Sequence, residues 1–184
     1  MADFHFEGCA IVSSDGMLAD AQGNQPPELI VEADKRFFEA KLDAAALIVH
    51  GRHSSEGQRN SPNRKRLIAT RQIETIEPDE RNRNAVRWNP AGASIEQAAA
   101  LLGVRAGLVA VIGGTEIFDL FLDRYDVFWL TLAPRVKLPG GVPAFSGVPQ
   151  SAPAEILRSH GLTQAESRLL DASQDVRLVK WVRT

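Results

Sequence analysis

Short apolar runs, separated by clusters of glycine, proline and polar residues, set the rhythm of the chain. Phe6 to Val12, Ala44 to Val49, Arg66 to Thr70, Leu108 to Ile112 and Val127 to Ala133 read as strands. Several of these runs are apolar without strict alternation, as in strands covered on both faces of a parallel sheet. Glu32 to Leu42 has helical spacing, with Phe37, Phe38 and Leu42 as anchors. Ser94-Ile-Glu-Gln97 is a capping box, and it predicts a helix that runs through Leu102 and stops at Gly103. Glu116 to Leu122 predicts another helix. The intervening segments are polar: a turn at Ser13 to Gly16 with a loop through Pro27, a short helix or loop from Gly51 to Asn63, and a Gly/Pro loop from Gly140 to Pro149. Glu74 to Asn89 is charged and irregular, with one strand near Val86. Gly161 to Leu170 and Val176 to Val182 close the chain as an antiparallel pair. Strand and helix alternate through the centre, so the fold class is α/β, a mostly parallel sheet flanked by helices with an antiparallel C-terminal hairpin.

The length suits one domain over residues 1–184, large enough to bury about 68–75% of its unfolded surface. The formal net charge is -2, which argues against a broad nucleic-acid footprint. Arg59, Arg64, Lys65, Arg66 and Arg71 are compatible with a local basic patch and equally, one by one, with solvated turn charges. Cys9 is the only cysteine, which excludes an intrachain disulfide and a cysteine zinc site. Its apolar neighbours predict a buried strand thiol rather than a nucleophile. The N-terminus lacks the basic and apolar regions of a signal peptide, and no apolar run is long enough to span a membrane. The cytosol is the expected compartment.

Ligands of parallel α/β sheets sit beyond the carboxyl ends of the strands. Here those ends carry Ser13-Ser14-Asp15-Gly16, Gly51-Arg52-His53-Ser54, Thr70-Arg71 and Gly113-Gly114-Thr115. Gly51 and Gly113 allow close approach to the backbone, and Arg52, His53 and Arg71 supply positive charge. The backbone N–H groups of Thr115 and Glu116 open the helix after the Gly-Gly pair. Any one of these residues alone reads as a turn or a surface charge; together they suggest a cradle for a phosphorylated dinucleotide. Asp34 is the candidate acid. It lies four residues before Phe38, so the two share a helix face, and a carboxylate beside aromatic surface is expected to titrate high. That suits a proton donor or a grip on an amidine-like nitrogen heterocycle; the alternative is an exposed acid near a helix N-terminus. His5, His50, His53 and His160 lack metal-ligand spacing, so no metal is expected. No Gly-x-Ser-x-Gly elbow and no Gly-x-Gly-x-x-Gly motif occurs. Trp88, Trp129 and Trp181 read as core.

With these residues in place, the chain resembles the dihydrofolate reductase superfamily from about Phe6 to Phe145. The resemblance implies that fold, NADPH as cofactor and a small heterocyclic substrate. Val49-His-Gly-Arg-His-Ser54 is similar to the segment that binds the cofactor phosphates, which implicates Gly51, Arg52, His53 and Ser54. Pro62 to Arg71 resembles the next segment, where Arg64 would hold the folate carboxylate and Thr70 and Arg71 would lie near the 2′-phosphate. Val111-Ile-Gly-Gly-Thr-Glu-Ile-Phe118 resembles the family's Gly-Gly loop, which carries a cis peptide and touches the cofactor through Gly113, Gly114, Thr115 and Glu116. Asp34 with Phe38 matches the acid that grips the substrate, and Thr131 the threonine that supports that acid. The family's first loop carries Pro-Trp, whereas this chain reads Gln25-Pro-Pro-Glu-Leu29. Ser14 to Ala19, Leu132-Ala-Pro-Arg-Val136 and Gly140 to Phe145 also resemble a sister branch, the riboflavin-pathway reductases. Three functions follow: a pterin or folate reductase, a stand-alone reductase of the phosphoribosylamino-pyrimidine, and a non-catalytic NADPH-binding protein. A homodimer is possible by resemblance to the riboflavin branch.

Overall fold

The computed structural model describes residues 3–54 and 57–184. In chain order the elements are β1 (Asp3–Ser13), β2 (Met17–Ala19), α1 (Glu32–Ala44), β3 (Leu47–Gly51), β4 (Arg66–Ala69), β5 (Ile76–Pro78) and β6 (Ala85–Trp88). They continue with α2 (Ile95–Leu101), β7 (Ala106–Val111), α3 (Thr115–Leu120), β8 (Val127–Ala133), β9 (Val142–Pro143), α4 (Pro153–Ser159), β10 (Leu162–Asp171) and β11 (Val176–Arg183). Short 3-10 turns lie at Pro27–Leu29 and Ser61–Asn63.

A nine-stranded sheet runs in the order β10-β11-β8-β1-β7-β3-β4-β6-β5. The strands from β8 to β6 are mutually parallel, and β5, β11 and β10 are antiparallel to their neighbours. The apolar runs have the cause expected of them. Leu47, Ile48 and Val49 of β3 and Val109, Ala110 and Val111 of β7 are almost wholly buried, because both faces of the central strands are covered. The hairpin of β10 and β11 forms one end of the sheet. Its inner strand buries Val176, Leu178, Val179 and Trp181, while β10 is largely exposed.

Helix α2 begins as its capping box predicts: Ser94 Oγ accepts from Gln97 N at 3.2 Å, and Gln97 Oε1 accepts from Ser94 N at 2.8 Å. The helix ends before Gly103, whose φ of 70° is the left-handed conformation that stops a helix there. Four differences from the sequence reading have local reasons. Helix α1 runs on to Ala44, so β3 starts at Leu47, because the alanines after Leu42 favour helix. β2 and β9 pair inside two segments read as loops, with Met17 opposite Pro143 and Ala19 opposite Val142; strands this short carry no period. β5 ends at a proline that the sheet tolerates because the strand is an edge. Helix α4 is not among the elements that the sequence pattern predicts. It starts with Pro153 in its first turn, accepts Ala152 N on Glu155 Oε2 at 3.0 Å and buries Ile156 and Leu157.

Candidate active site

The strands whose ends carry the polar sets prove to be neighbours: β1, β7, β3 and β4 stand side by side in the sheet. All four run parallel, so Ser13, the Gly-Gly segment, Gly51 and Thr70 emerge along one edge. Gly51 N donates to Gly113 O at 2.7 Å, which ties the end of β3 to the loop after β7. The Gly113–Gly114 peptide is cis. Arg71 and Glu116, both exposed, meet at 3.1 Å and bridge the end of β4 to α3. A Cβ on Gly113, whose φ is 100°, would lie 2.8 Å from the Phe118 ring, and one on Gly114 would lie 3.2 Å from Ser54 Oγ. Glycine is therefore required at Gly113 by conformation and by space.

A cleft of about 710 Å³ opens beside this edge. Its floor is Cys9, Ala10 and Ile11 of β1, and one wall is α1 with Asp34, Phe37 and Phe38. Trp129 and Thr131 of β8, Ile112, Gly114 and Ser54 complete the interior, and Lys35, Glu39, Gln58 and Arg59 also border it. Asp34 is the acid of this largely apolar interior. Its carboxyl titrates above the ordinary aspartate value because it is withdrawn from water, and the hydrogen bond from Thr131 Oγ1 to Asp34 Oδ1 works against that rise. Thr131 is 1% exposed, so its hydroxyl is held where it must partner the acid. A protonated carboxyl here can donate a proton, and an ionised one can accept two parallel N–H bonds from a cyclic amidine. The Cys9 thiol is pushed far up by burial and then by the nearby Glu7 charge, so it forms apolar floor rather than nucleophile.

No family model matches the chain, and no curated protein matches its sequence. Solved structures do. A protein assigned to riboflavin biosynthesis from Shewanella sp. PV-4 superposes with a TM-score of 0.64 at 18% identity, over 98% of this chain and 99% of that one. Dihydrofolate reductase from Enterococcus faecalis, solved with NADP(H) and RAB-propyl, superposes with a TM-score of 0.64 at 15% identity, over 98% and 96%. The fold is that of dihydrofolate reductase. A third structure from Thermotoga maritima, a diaminohydroxyphosphoribosylaminopyrimidine deaminase/5-amino-6-(5-phosphoribosylamino)uracil reductase, has a TM-score of 0.66 at 16% identity; the likeness spans 99% of this chain and 57% of that one.

Within the dihydrofolate reductase fold, the residues singled out in the sequence fall into separate places. Asp34, Phe38, Thr131, Ser54 and Gly114 line the cleft together. Gly51, Gly113, Thr115, Glu116 and Arg71 cluster at the adjoining strand ends. Thr115 Oγ1 donates to Pro143 O, tying the start of α3 to β9. Arg52 and His53 are exposed on the turn after β3. Thr70 is half-buried and accepts Gln72 N on its hydroxyl at 3.2 Å. Arg64 departs from expectation. It is buried and borders a second cavity of about 460 Å³, with Asp43, Asn60 and Asn63. Its Nε and Nη2 donate to Asp43 Oδ1 at 3.1 and 2.6 Å, and its Nη1 donates to Gln58 Oε1 at 2.7 Å. Of the residues read as a basic patch, Arg59, Lys65 and Arg71 are exposed, whereas Arg64 and Arg66 are withdrawn from the surface. Arg66 is buried as well, donating to Ser61 O at 2.6 Å and through Nη1 to His50 Nε2 at 3.3 Å. That bond leaves the His50 proton on Nδ1, which donates to Gly51 O at 2.8 Å.

Two features escaped the sequence reading. Trp88 and Trp181 are core, but Trp129 borders the cleft, its ring 5.0 Å from that of Phe37. The Trp129 indole donates to Glu7 Oε2 at 2.7 Å, and the same oxygen accepts Lys41 Nζ at 2.7 Å. The sequence carried a hint, since Glu7 breaks the otherwise apolar run from Phe6 to Val12. The segments that resemble the riboflavin branch also turn out to hold one another. Ser14 N donates to Val136 O at 2.7 Å, Asp15 Oδ1 accepts Leu138 N at 3.0 Å, and β2 pairs with β9.

Proposed function

We propose that this chain is an NADPH-dependent reductase that acts on a pterin or folate-like heterocycle, with all of residues 1–184 forming its single catalytic domain. The observation that carries this reading is the carboxyl of Asp34, withdrawn from water and braced by Thr131, in a cleft that Phe37, Phe38 and Trp129 also line and that adjoins the Gly113–Gly114 loop. NADPH, when bound, supplies hydride from its nicotinamide. The residues fit that group: the side-chain-free Gly114 lets a flat ring lie against backbone at the cleft wall, and Arg71, Arg52 and His53 stand along the strand ends where phosphates would lie. Gly51, Ser54, Thr70, Thr115 and Glu116 complete that face. Phe38 and Ile112 give the substrate ring an apolar slot. Asp34 holds the N–C–N edge of the ring and assists its protonation from solvent as hydride arrives, so a C=N bond becomes CH–NH. Holding both reactants face to face makes the transfer effectively intramolecular.

A second reading, reduction of a 5-amino-6-(5-phosphoribosylamino)uracil, draws on the likeness to the Shewanella and Thermotoga proteins. Ser14 Oγ donates to Val136 O, and the Asp15 carboxylate accepts from Leu138 N and Ser13 Oγ, so these polar groups are already partnered within the protein, which favours the first reading. The test is loss of NADPH absorbance with dihydrofolate, in the wild type and in Asp34→Asn. Turnover that Asp34→Asn abolishes while NADPH affinity is kept supports the assignment. Equal turnover in both forms would reduce Asp34 to a helix acid without a role in the chemistry. NADPH binding without turnover of either substrate would point to a fold kept for binding alone.

A further inference from the structure

An anionic substituent on the substrate would find little to hold it. Among the described residues, the basic side chains bordering the cleft are Lys35 and Arg59, and both are exposed at its mouth. Glu39 borders the same mouth and offsets them. Over the cleft's aromatic rings, Lys41 is paired with Glu7 at 2.7 Å, Lys180 is paired with Glu166 at 3.4 Å, and Arg168 is exposed. Arg64, its side chain 5% exposed, has its donors already committed to Asp43 and Gln58. Gln58 lines the cleft and takes the Nη1 donor of Arg64, so it separates that guanidinium from a bound ligand. Withdrawing Arg64 from Asp43 would leave a buried charge without its counter-ion.

We propose that the cleft selects its substrate by the heterocycle alone and is indifferent to a carboxylate or phosphate tail. The substrate class is then a flat cyclic amidine carrying a small or neutral substituent. This rests on the function proposed above and narrows it. Charge pairs formed at exposed side chains change an equilibrium by less than about tenfold, and salt screens them. A buried fork of arginine donors on a carboxylate would discriminate far more strongly.

The test is equilibrium binding to the NADPH-loaded protein, followed by tryptophan fluorescence, since Trp129 borders the cleft. Two ligand pairs are compared: pteroylglutamate with 6-methylpterin, and 5-amino-6-(5-phosphoribosylamino)uracil with its dephosphorylated form. The expected result is a difference within each bound pair of less than about tenfold, shrinking further in about 0.5 M salt. In Arg64→Gln, checked for folding by its thermal transition, the ratio stays where it was. A tailed ligand bound more than about tenfold tighter would overturn the inference while leaving the heterocycle site standing; collapse of such a preference in Arg64→Gln would assign the tail to Arg64. The wild-type ratio decides this even where the variant fails to fold. Binding of none of the four ligands would instead overturn the function proposed above, and this inference with it.

Discussion

Thr131→Val isolates the hydrogen bond that braces the acid. Thr131 is buried on β8 and donates its hydroxyl to Asp34 Oδ1. Valine keeps the shape of the side chain and removes the donor. A hydrogen bond to a charged group contributes about 1.5–3 kcal/mol, so its loss moves the Asp34 ionisation equilibrium toward the neutral acid by roughly ten- to a hundredfold. Burial already raises the Asp34 titration, and the variant removes the contact that opposed the rise. If the protonated form of Asp34 is the one that assists protonation of the substrate, the alkaline limb of turnover moves to higher pH while the rate at low pH is kept. Steady-state NADPH oxidation across pH measures the limb, and carbon-13 NMR of the aspartate carboxyls measures the ionisation directly. Stability gives an independent sign. A carboxyl that titrates higher folded than unfolded contributes its full stability below the unfolded value and loses it as pH rises through the folded one. Thr131→Val enlarges that loss, so the variant is increasingly destabilised relative to wild type as pH rises. An alkaline limb that stays in place, or a rate that falls equally at every pH, would refute the assignment and leave Thr131 as packing alone.

Arg71→Ala should weaken NADPH by a few-fold, less than about tenfold, and NADH hardly at all, because it removes an exposed charged partner of the 2′-phosphate; equal losses, read by fluorescence titration, would discard that role. Gly113→Ala should cost about 2 kcal/mol or more in urea unfolding, since it forces a side chain into a φ of 100° and to 2.8 Å from the Phe118 ring; a cost near zero would mean that the loop adapts freely. Glu7→Gln should cost roughly 3 kcal/mol by leaving Lys41 beside a neutral amide at the buried end of their pair, and adding Lys41→Met should recover much of it; no recovery in the double variant would locate the cost in the Trp129 contact instead.

The sheet was legible because burial on two faces demands continuous apolar runs, and Leu47 to Val49, Val109 to Val111 and Val127 to Ala133 supply them. Helix α2 was legible because Ser94, Gln97 and Gly103 each do a job that few residue types can do. What stayed hidden was short or held by distant partners. β2 and β9 exist because they pair across more than a hundred residues, and neither has a period of its own. Helix α4 has a start signal in Pro153 and Glu155, but its seven residues contain only two full apolar anchors after the proline, Ile156 and Leu157.

The site divides along a similar line. Asp34 and Phe38 were legible because their spacing alone puts them on one helix face, and the structure brings both into the cleft. Gly113 and its neighbour Gly114 were legible because the φ of 100° at Gly113 and the Phe118 ring beside it leave no room for a side chain there. Arg64 was not. Its place in a basic segment suggested a ligand, but a long side chain goes where its partner is, and Asp43 on α1 is 21 residues away in sequence. Trp129 shows the converse. An indole in an apolar strand reads as core until Glu7, 122 residues earlier, is seen to take its N–H and hold one edge of the ring, leaving the ring to border the cleft. Backbone-determined positions therefore survive translation from sequence to site, whereas the direction of a charged or amphipathic side chain depends on a partner that the local sequence does not contain. The substrate lies on the second side of that divide: Asp34 reads the heterocycle from a position its helix dictates, and whatever reads the tail depends on what Asp43 and Gln58 have already claimed.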